Sequence, residues 1–235
     1  MMNHQIKTLK RIILYVLGLF FMSIGISLSI QAGFGVSPVS SLAYASTLTT
    51  GLSVGVTMAL ANVLYIIIQV IIIKRMELTE FAGQFIISFL FAFLMDAALS
   101  VVQLFPTPET FFTRIVFLIS SLFVIAIGLM GYTTAKLPLM PYDALTYAIS
   151  EKFNIKFGKA KISIDFINIC VAGAICVIFI HSLGSIGIGT LIAAYFIGKI
   201  LGWLLPKYQP TLQQWIFKAE KTSQVMIQEE GNVKL

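Results

Sequence analysis

The chain has 235 residues, of which 58% are hydrophobic and 11% are charged, and its formal net charge is +6. Soluble domains carry about 25% charged residues, so this composition excludes an ordinary soluble protein. The basic residues lie mostly at the ends of apolar segments. This placement argues against a nucleic-acid partner and indicates a lipid bilayer.

Six apolar runs are long enough to cross a bilayer, which takes about 20 residues. They cover residues 12–32, 54–73, 83–105, 111–134, 162–180 and 186–205. The first run is longer than the apolar region of a secretory signal and is followed by further runs, so we expect it to be retained. The sequence therefore predicts an all-α membrane protein with six transmembrane helices.

Lysine and arginine lie almost entirely on one side of these runs. They precede the first run, follow the second and the sixth, and crowd the segment between the fourth and the fifth. Only Arg114 falls on the opposite side, and Lys199 lies within the sixth run. Because cytoplasmic loops are enriched in these residues, we expect six crossings with both termini in the cytoplasm.

The two halves of the chain resemble each other at an offset of 103 residues. Pro38 aligns with Pro141, Tyr44 aligns with Tyr147, and the predicted spans stay in register. Each half holds three spans, and because three is odd the second half enters the membrane from the opposite side, as in the inverted repeats of many secondary transporters. We divide the chain into a cytoplasmic N-terminus (1–11), repeat 1 (12–102), an outer loop (103–110), repeat 2 (111–205) and a cytoplasmic tail (206–235).

A short uncharged segment follows the first span of repeat 1 and has a counterpart in repeat 2. Ser37 and Pro38 are typical of a helix start, and Gly51 is typical of a helix end. The resulting helix is about 20 Å long, too short for a bilayer core of about 30 Å. Pro141 begins the corresponding helix, with Asp143 in its first turn, where a carboxylate interacts well with the helix dipole. Either both helices dip into the membrane and line a cavity, or they lie flat at the two interfaces.

Three stretches carry a family resemblance: GFGVSP after the first span, TGLSVG at the start of the second and GIGTLIAAYFIGKILG in the sixth. They resemble the YczE/YyaS/YitT group of bacterial integral membrane proteins, over about residues 10–205 of this chain. The resemblance implies the architecture described above and a location in the bacterial cytoplasmic (inner) membrane. It implies no substrate, because the shared motifs are glycine-rich and lie at helix ends.

Few ionisable residues lie deep within the predicted spans, where each is costly. Asp96 lies toward the outer half of the third span, so we expect it to contact a solute, to carry a coupling proton or to accept hydrogen bonds between helices. Its repeat counterpart, Lys199, is close enough to the end of its span to extend to the interface. Asp165 follows Lys161 by four residues, a spacing typical of a salt bridge on a helix.

The candidate substrate-binding or coupling residues are those at depth and those on the two short helices. They are Asp96, Ser40, Tyr44, Asn62, Asp143 and Tyr147. We expect the four residues of the short helices to approach one another around a pseudo-two-fold axis in the membrane plane.

Two classes of function stay open. The inverted repeat, the short helices and Asp96 favour a small secondary transporter or permease for a small neutral or weakly charged solute. The small size and sparse polar groups fit a membrane accessory protein that binds or supports a partner and transports nothing; a homo-oligomer is open as well.

No Ser/His/acid arrangement is present, and Cys170 and Cys176 lack metal-ligand spacing, so we expect no enzyme activity, metal or cofactor. A water-accessible cavity at mid-depth would favour the transporter.

Overall fold

The computed structural model describes the backbone of residues 2–74 and 78–232 and the side chains of residues 5–74 and 78–216. Over these residues the chain forms eight α-helices and no strand. They are α1 (Met2–Ala32), α2 (Pro38–Thr50), α3 (Val54–Ile73), α4 (Leu78–Val102), α5 (Phe111–Thr134), α6 (Pro141–Lys152), α7 (Phe157–Ile180) and α8 (Ile188–Asn232). All except α2 and α6 are long and apolar enough to cross a membrane, and each of them overlaps one of the six predicted spans. The all-α membrane fold is thereby confirmed.

The first and last helices extend beyond the predicted spans. α1 begins at Met2, so most of the residues expected to form a separate N-terminal segment are part of this helix. α8 runs on past residue 205 to Asn232 and passes through Pro206 and Pro210 without ending. A proline removes one backbone hydrogen bond and kinks a helix, but it does not have to end it.

The two short helices begin where the sequence predicted. In α2, Pro38 follows the N-cap residue Ser37, and Gly51 ends the helix with φ 75°. Glycine adopts this left-handed conformation without strain, and its N–H donates to the Thr47 carbonyl at 2.9 Å. α6 begins at Pro141. Proline fits the first helical position because its missing N–H would have no intrahelical partner there.

Both short helices begin beside the middle of a spanning helix. The carbonyl of Pro38 accepts a hydrogen bond from Asn168 Nδ2 at 3.4 Å, near the centre of α7. Farther along, α2 packs close to Cys176, toward the end of α7. In α6, the ring of Tyr142 lies 5.3 Å from that of Tyr65, near the centre of α3. The starts of α2 and α6 therefore converge on the middle of the bundle.

The connection between α1 and α2 is held against the hairpin that joins α7 to α8. The N–H of Val36 donates to the Ser185 carbonyl at 3.0 Å. Gly35 has φ 90°, and a Cβ atom at this position would lie 2.6 Å from the Thr190 hydroxyl. Only glycine combines this conformation with this approach, so the contact fixes the point from which α2 begins.

The helices α1 and α5 pack closely at the centre of the bundle, because glycines allow their backbones to approach. A Cβ on Gly25 would lie 2.8 Å from the backbone nitrogen of Ile125, and a Cβ on Gly128 would lie 2.6 Å from that of Met22. These two contacts form the centre of the fold, around which the other helices are arranged.

The outer pairs of helices differ from each other. α4 packs against both α1 and α3, whereas α8 packs chiefly against α5. By comparison, α7 and α8 make little contact with each other over their described lengths. Lys10 near the start of the chain donates to the Trp215 carbonyl of α8 at 3.0 Å, so both ends of the described chain meet at one end of the bundle.

Candidate functional site

A cavity of about 590 Å³ lies inside the bundle, and all eight helices contribute to its lining. The starts of the short helices reach it through Pro38 and Tyr142. It extends between α7, which contributes Lys161, and α8, which contributes Gly198. Pockets for small molecules typically have volumes of about 300–1,000 Å³, so this cavity is large enough for such a ligand.

A polar group of three residues from α6 and α7 forms one wall of the cavity. The hydroxyl of Tyr142 donates to Asp165 Oδ1. Lys161 Nζ lies 3.8 Å from the same oxygen, which confirms the predicted i,i+4 salt bridge. The same ammonium lies 4.7 Å from the centre of the Tyr142 ring, within the range of a cation–π interaction. The charges of Lys161 and Asp165 are thus balanced within the wall itself.

Asp143 is held in the first turn of α6 by the end of α5. The hydroxyl of Tyr132 donates to Asp143 Oδ2 at 3.3 Å and accepts the N–H of Met140 at 2.6 Å. Burial raises the pKa of the Asp143 carboxyl above its ordinary value, and the positive charge of Lys161 opposes this rise.

The α3 side of the cavity carries one paired and one unpaired polar group. The hydroxyl of Tyr65 accepts a hydrogen bond from Asn168 Nδ2 at 2.9 Å. Asn62, one turn earlier on α3, is only 5% exposed and lines the cavity. Its Nδ2 has no hydrogen-bond partner among the described residues. Buried polar atoms are nearly always paired, so this donor requires an explanation.

Three of the six predicted binding or coupling residues line the cavity. They are Asn62, Asp143 and Tyr147. The ring of Tyr147 also packs against that of Phe157, with 4.5 Å between the centroids. Ser40 and Tyr44 belong to α2 but not to the described lining; the Ser40 hydroxyl bonds to the preceding N-cap serine at 2.8 Å.

The remaining candidate, Asp96, lies outside the lining and contacts the start of α3. Its Oδ2 accepts a hydrogen bond from the Ser53 hydroxyl and its Oδ1 accepts one from the Gly55 N–H, both at 2.7 Å. A carboxylate is favoured at a helix N-terminus, where backbone N–H groups lack intrahelical partners. Of the expected alternatives, hydrogen bonding between helices is the arrangement found. Its counterpart Lys199 lies elsewhere, with Nζ 4.4 Å from the centre of the Tyr195 ring.

Sequence reasoning missed the aromatic part of the site, namely Tyr65, Tyr132 and Tyr142. Tyrosines within apolar runs are common packing residues and give no signal by themselves. One signal was available for Tyr65, because the 103-residue offset aligns it with Asn168, another polar residue near the middle of a span. Within the described ranges, no group of three or more His, Cys, Asp or Glu side chains could hold a metal ion.

The six apolar helices define a multi-pass integral membrane protein of the all-α class. The sequence pattern of the family of unknown function DUF6198 matches residues 9–206, so the chain belongs to that family. It is 28% identical over 192 residues to the "Uncharacterized protein YyaS" of Bacillus subtilis, covering 82% of this chain and 90% of that protein. It is 23% identical over 201 residues to an uncharacterized protein of Haemophilus influenzae, covering 86% and 84%. These relatives confirm the predicted YyaS-type family, and no solved structure matches the chain.

Proposed function

We propose that the protein is a small secondary transporter that moves a small neutral or weakly charged solute across the bacterial cytoplasmic membrane. The observation that carries the proposal is the cavity of about 590 Å³ at the convergence of the two short helices. Broken or short helices that meet near the middle of a bundle are typical of solute sites in secondary transporters. A protein that only supports a partner needs no cavity of this kind.

An inverted repeat supports this proposal through contacts between equivalent residues. Tyr65 and Asn168 occupy equivalent positions and hydrogen-bond to each other at 2.9 Å. Residues exchanged by a two-fold rotation touch each other directly only near its axis, so this pair marks the axis. In this interpretation α2 and α6 are re-entrant helices that begin close to that axis and run toward opposite faces of the membrane.

The contacts between α1 and α5 agree with the same rotation. Gly25 is equivalent to Gly128, and Met22 is equivalent to Ile125. Gly25 lies against Ile125 while Gly128 lies against Met22, so the two contacts are exchanged by the repeat. Two independent sets of contacts, at Tyr65 and at these glycines, therefore fit one symmetry.

The two equivalent helix pairs differ in a way that supports alternating access. The pair α3–α4 is closed: a Cβ on Gly55 would overlap the Ala92 carbonyl oxygen and would lie 2.5 Å from Asp96 Oδ2. The pair α7–α8 is open: around Gly158, the counterpart of Gly55, no described atom lies within 4 Å of a Cβ position. In this proposal the protein exposes the cavity on one side and closes it on the other.

The expected topology assigns these sides. With both termini in the cytoplasm, the lysine-rich start of α7 faces the cytoplasm and the start of α3 faces outward. The contact between Lys10 and Trp215 is consistent with termini on one side. In this proposal the conformation is inward-open, and the α3–α4 pair forms the closed outer gate.

The test measures metabolite concentrations inside and outside four kinds of cells. One lacks the protein, one produces the wild type, and two produce single-substitution variants. Gly198→Phe introduces a bulky side chain into the cavity lining, whereas Gly202→Phe is the matched control one turn farther along α8 and outside the lining. At both positions a Cβ would meet no described atom within 4 Å apart from the adjoining backbone of its own helix. Relative to cells that lack the protein, we expect the wild type and Gly202→Phe to change the distribution of the same solute across the membrane. We expect Gly198→Phe to change the distribution of none. If all producing strains match the strain without the protein, transport is refuted and the accessory-protein alternative stands.

A further inference from the structure

The formal charges of the side chains that line the cavity sum to zero. Two lysines and two aspartates belong to the lining: Lys136, Lys161, Asp143 and Asp165. Lys161 and Asp165 form a salt bridge, and Asp143 accepts a hydrogen bond from Tyr132. A ligand with a net charge would leave that charge without a counter-charge in a site of low polarity, which is strongly unfavourable. The charge balance therefore favours a neutral ligand.

Among the described residues, Asn62 supplies the one fully buried side-chain donor in this lining that has no hydrogen-bond partner. Its side chain is only 5% exposed, yet none of the described residues pairs with its Nδ2. A buried amide donor without a partner destabilises the protein, whereas a ligand oxygen at this point would satisfy it. Gln69, two turns later on α3, also has an unpaired buried amide atom, but it lies outside the cavity lining. It therefore serves as a matched control for Asn62.

The convergence of the two short helices adds a second reason to expect an acceptor oxygen. The starts of α2 and α6 both reach the cavity, through Pro38 and Tyr142. The first N–H groups of a helix have no intrahelical partners, and they give its N-terminus a partial positive charge. In α6, Asp143 already lies at this terminus, whereas the first turn of α2 carries no acid. A partial negative charge, such as that of a carbonyl oxygen, suits this environment.

Most of the remaining lining is apolar. Methionine, phenylalanine and isoleucine side chains from four different helices contribute to it. They include Met22, Met58, Phe91 and Ile125. Such a wall favours a compact hydrocarbon body, because burying it removes apolar surface from water.

We infer that the cavity binds a neutral solute with a compact apolar body and one carbonyl or hydroxyl oxygen, which accepts a hydrogen bond from the amide of Asn62. The inference deepens the proposed transport function and rests on it for its physiological meaning. Binding itself can be measured without transport. Asn62 is assigned as a residue that determines solute specificity.

The experiment measures the binding of three probes that share one ring to the purified full-length protein in lipid nanodiscs. The probes are cyclohexanone, cyclohexanecarboxylate and cyclohexylammonium, and the readout is the shift of the thermal unfolding midpoint with probe concentration. The Gly198→Phe protein, with a bulky side chain introduced into the cavity lining, corrects for partition into the lipid. We expect saturable binding of cyclohexanone alone. Tighter binding of either ion, or no binding of cyclohexanone, overturns the inference.

The role of Asn62 is tested with Asn62→Leu, which removes the amide at similar volume, against Gln69→Leu. We expect Asn62→Leu to weaken cyclohexanone binding about tenfold, the effect of one lost hydrogen bond, and Gln69→Leu to leave it unchanged. Asn62→Ala gives the same comparison if the leucine variant does not fold. Equal affinity in the wild type and the Asn62 variants excludes the assigned contact. Cyclohexanone binding without any solute shift in cells supports the binding site and refutes transport, so the two failures are distinguishable.

Discussion

The asymmetry between the two helix pairs predicts opposite effects for the same substitution at two equivalent glycines. Gly55 is the second residue of α3, and Gly158 is the second residue of α7. At Gly55 an alanine Cβ would lie 2.5 Å from Asp96 Oδ2 and would overlap the Ala92 carbonyl oxygen. At Gly158 it would meet no described atom within 4 Å. The two substitutions therefore compare the closed and the open pair with the same chemical change.

The expected magnitudes follow from packing. Because the contact at Gly55 involves backbone, α4 has to move away from α3 by several tenths of an ångström or more. Overpacking of this kind costs about 1–3 kcal/mol. The same movement lengthens the hydrogen bonds from Ser53 and Gly55 to Asp96, which lie at 2.7 Å. At Gly158, alanine restricts the unfolded chain and favours the helix by up to about 1 kcal/mol.

The assay is thermal unfolding of both variants in the same nanodiscs as the wild type. In a chain of this size 1 kcal/mol corresponds to about 2–4 °C, so Gly55→Ala should lower the midpoint by about 2–12 °C. Gly158→Ala should leave the midpoint unchanged or raise it by up to about 4 °C. An equal loss of stability in both variants would refute the reasoning, because it would mean that α7 and α8 are packed as closely as α3 and α4.

Two further predictions concern the outer gate and the topology. Asp96→Asn keeps the shape of the side chain but weakens two charge-assisted hydrogen bonds, so we expect the free energy of unfolding to fall by about 1–3 kcal/mol. Adding Ser53→Ala to this variant should cost less than Ser53→Ala alone, because both substitutions act on one contact. Strictly additive losses in thermal unfolding would contradict the shared contact. Reporter fusions at Thr107 and Ser182 should be active outside the membrane and a fusion at Asn154 inside; an internal signal at Thr107 would contradict the inverted topology.

The spans and short helices could be predicted from the sequence because each depends on local chemistry. The spans follow from the length of apolar chain that a bilayer requires. The start of α2 follows from Ser37 and Pro38, and its end follows from Gly51. The salt bridge between Lys161 and Asp165 follows from their spacing on one helix. None of these features requires knowledge of which helices are neighbours.

The partners of Asp96 and the composition of the cavity could not be predicted in this way. Depth in the membrane indicated that Asp96 needs a partner, but Ser53 is 43 residues away in sequence and meets it only because α4 packs against α3. The same holds for Tyr132, which reaches Asp143 only because the chain turns back after α5. The repeat offset carries part of this missing information, since it aligns Tyr65 with Asn168, the pair that meets at the proposed axis.

Differences between equivalent residues account for the different packing of the two helix pairs, α3 with α4 and α7 with α8. The counterparts of Asp96 and Ser53 are Lys199 and Lys156, so the α7–α8 pair has two cations where the α3–α4 pair has a hydrogen-bonded acid and hydroxyl. Closing α8 onto α7 in the same geometry would bring Lys199 to a helix N-terminus, where positive charge is unfavourable. In the proposed transporter, the empty protein therefore rests with its α7–α8 side open. A ligand can shift that equilibrium only by binding more tightly to the closed state, so solute binding has to supply the free energy that closes this side.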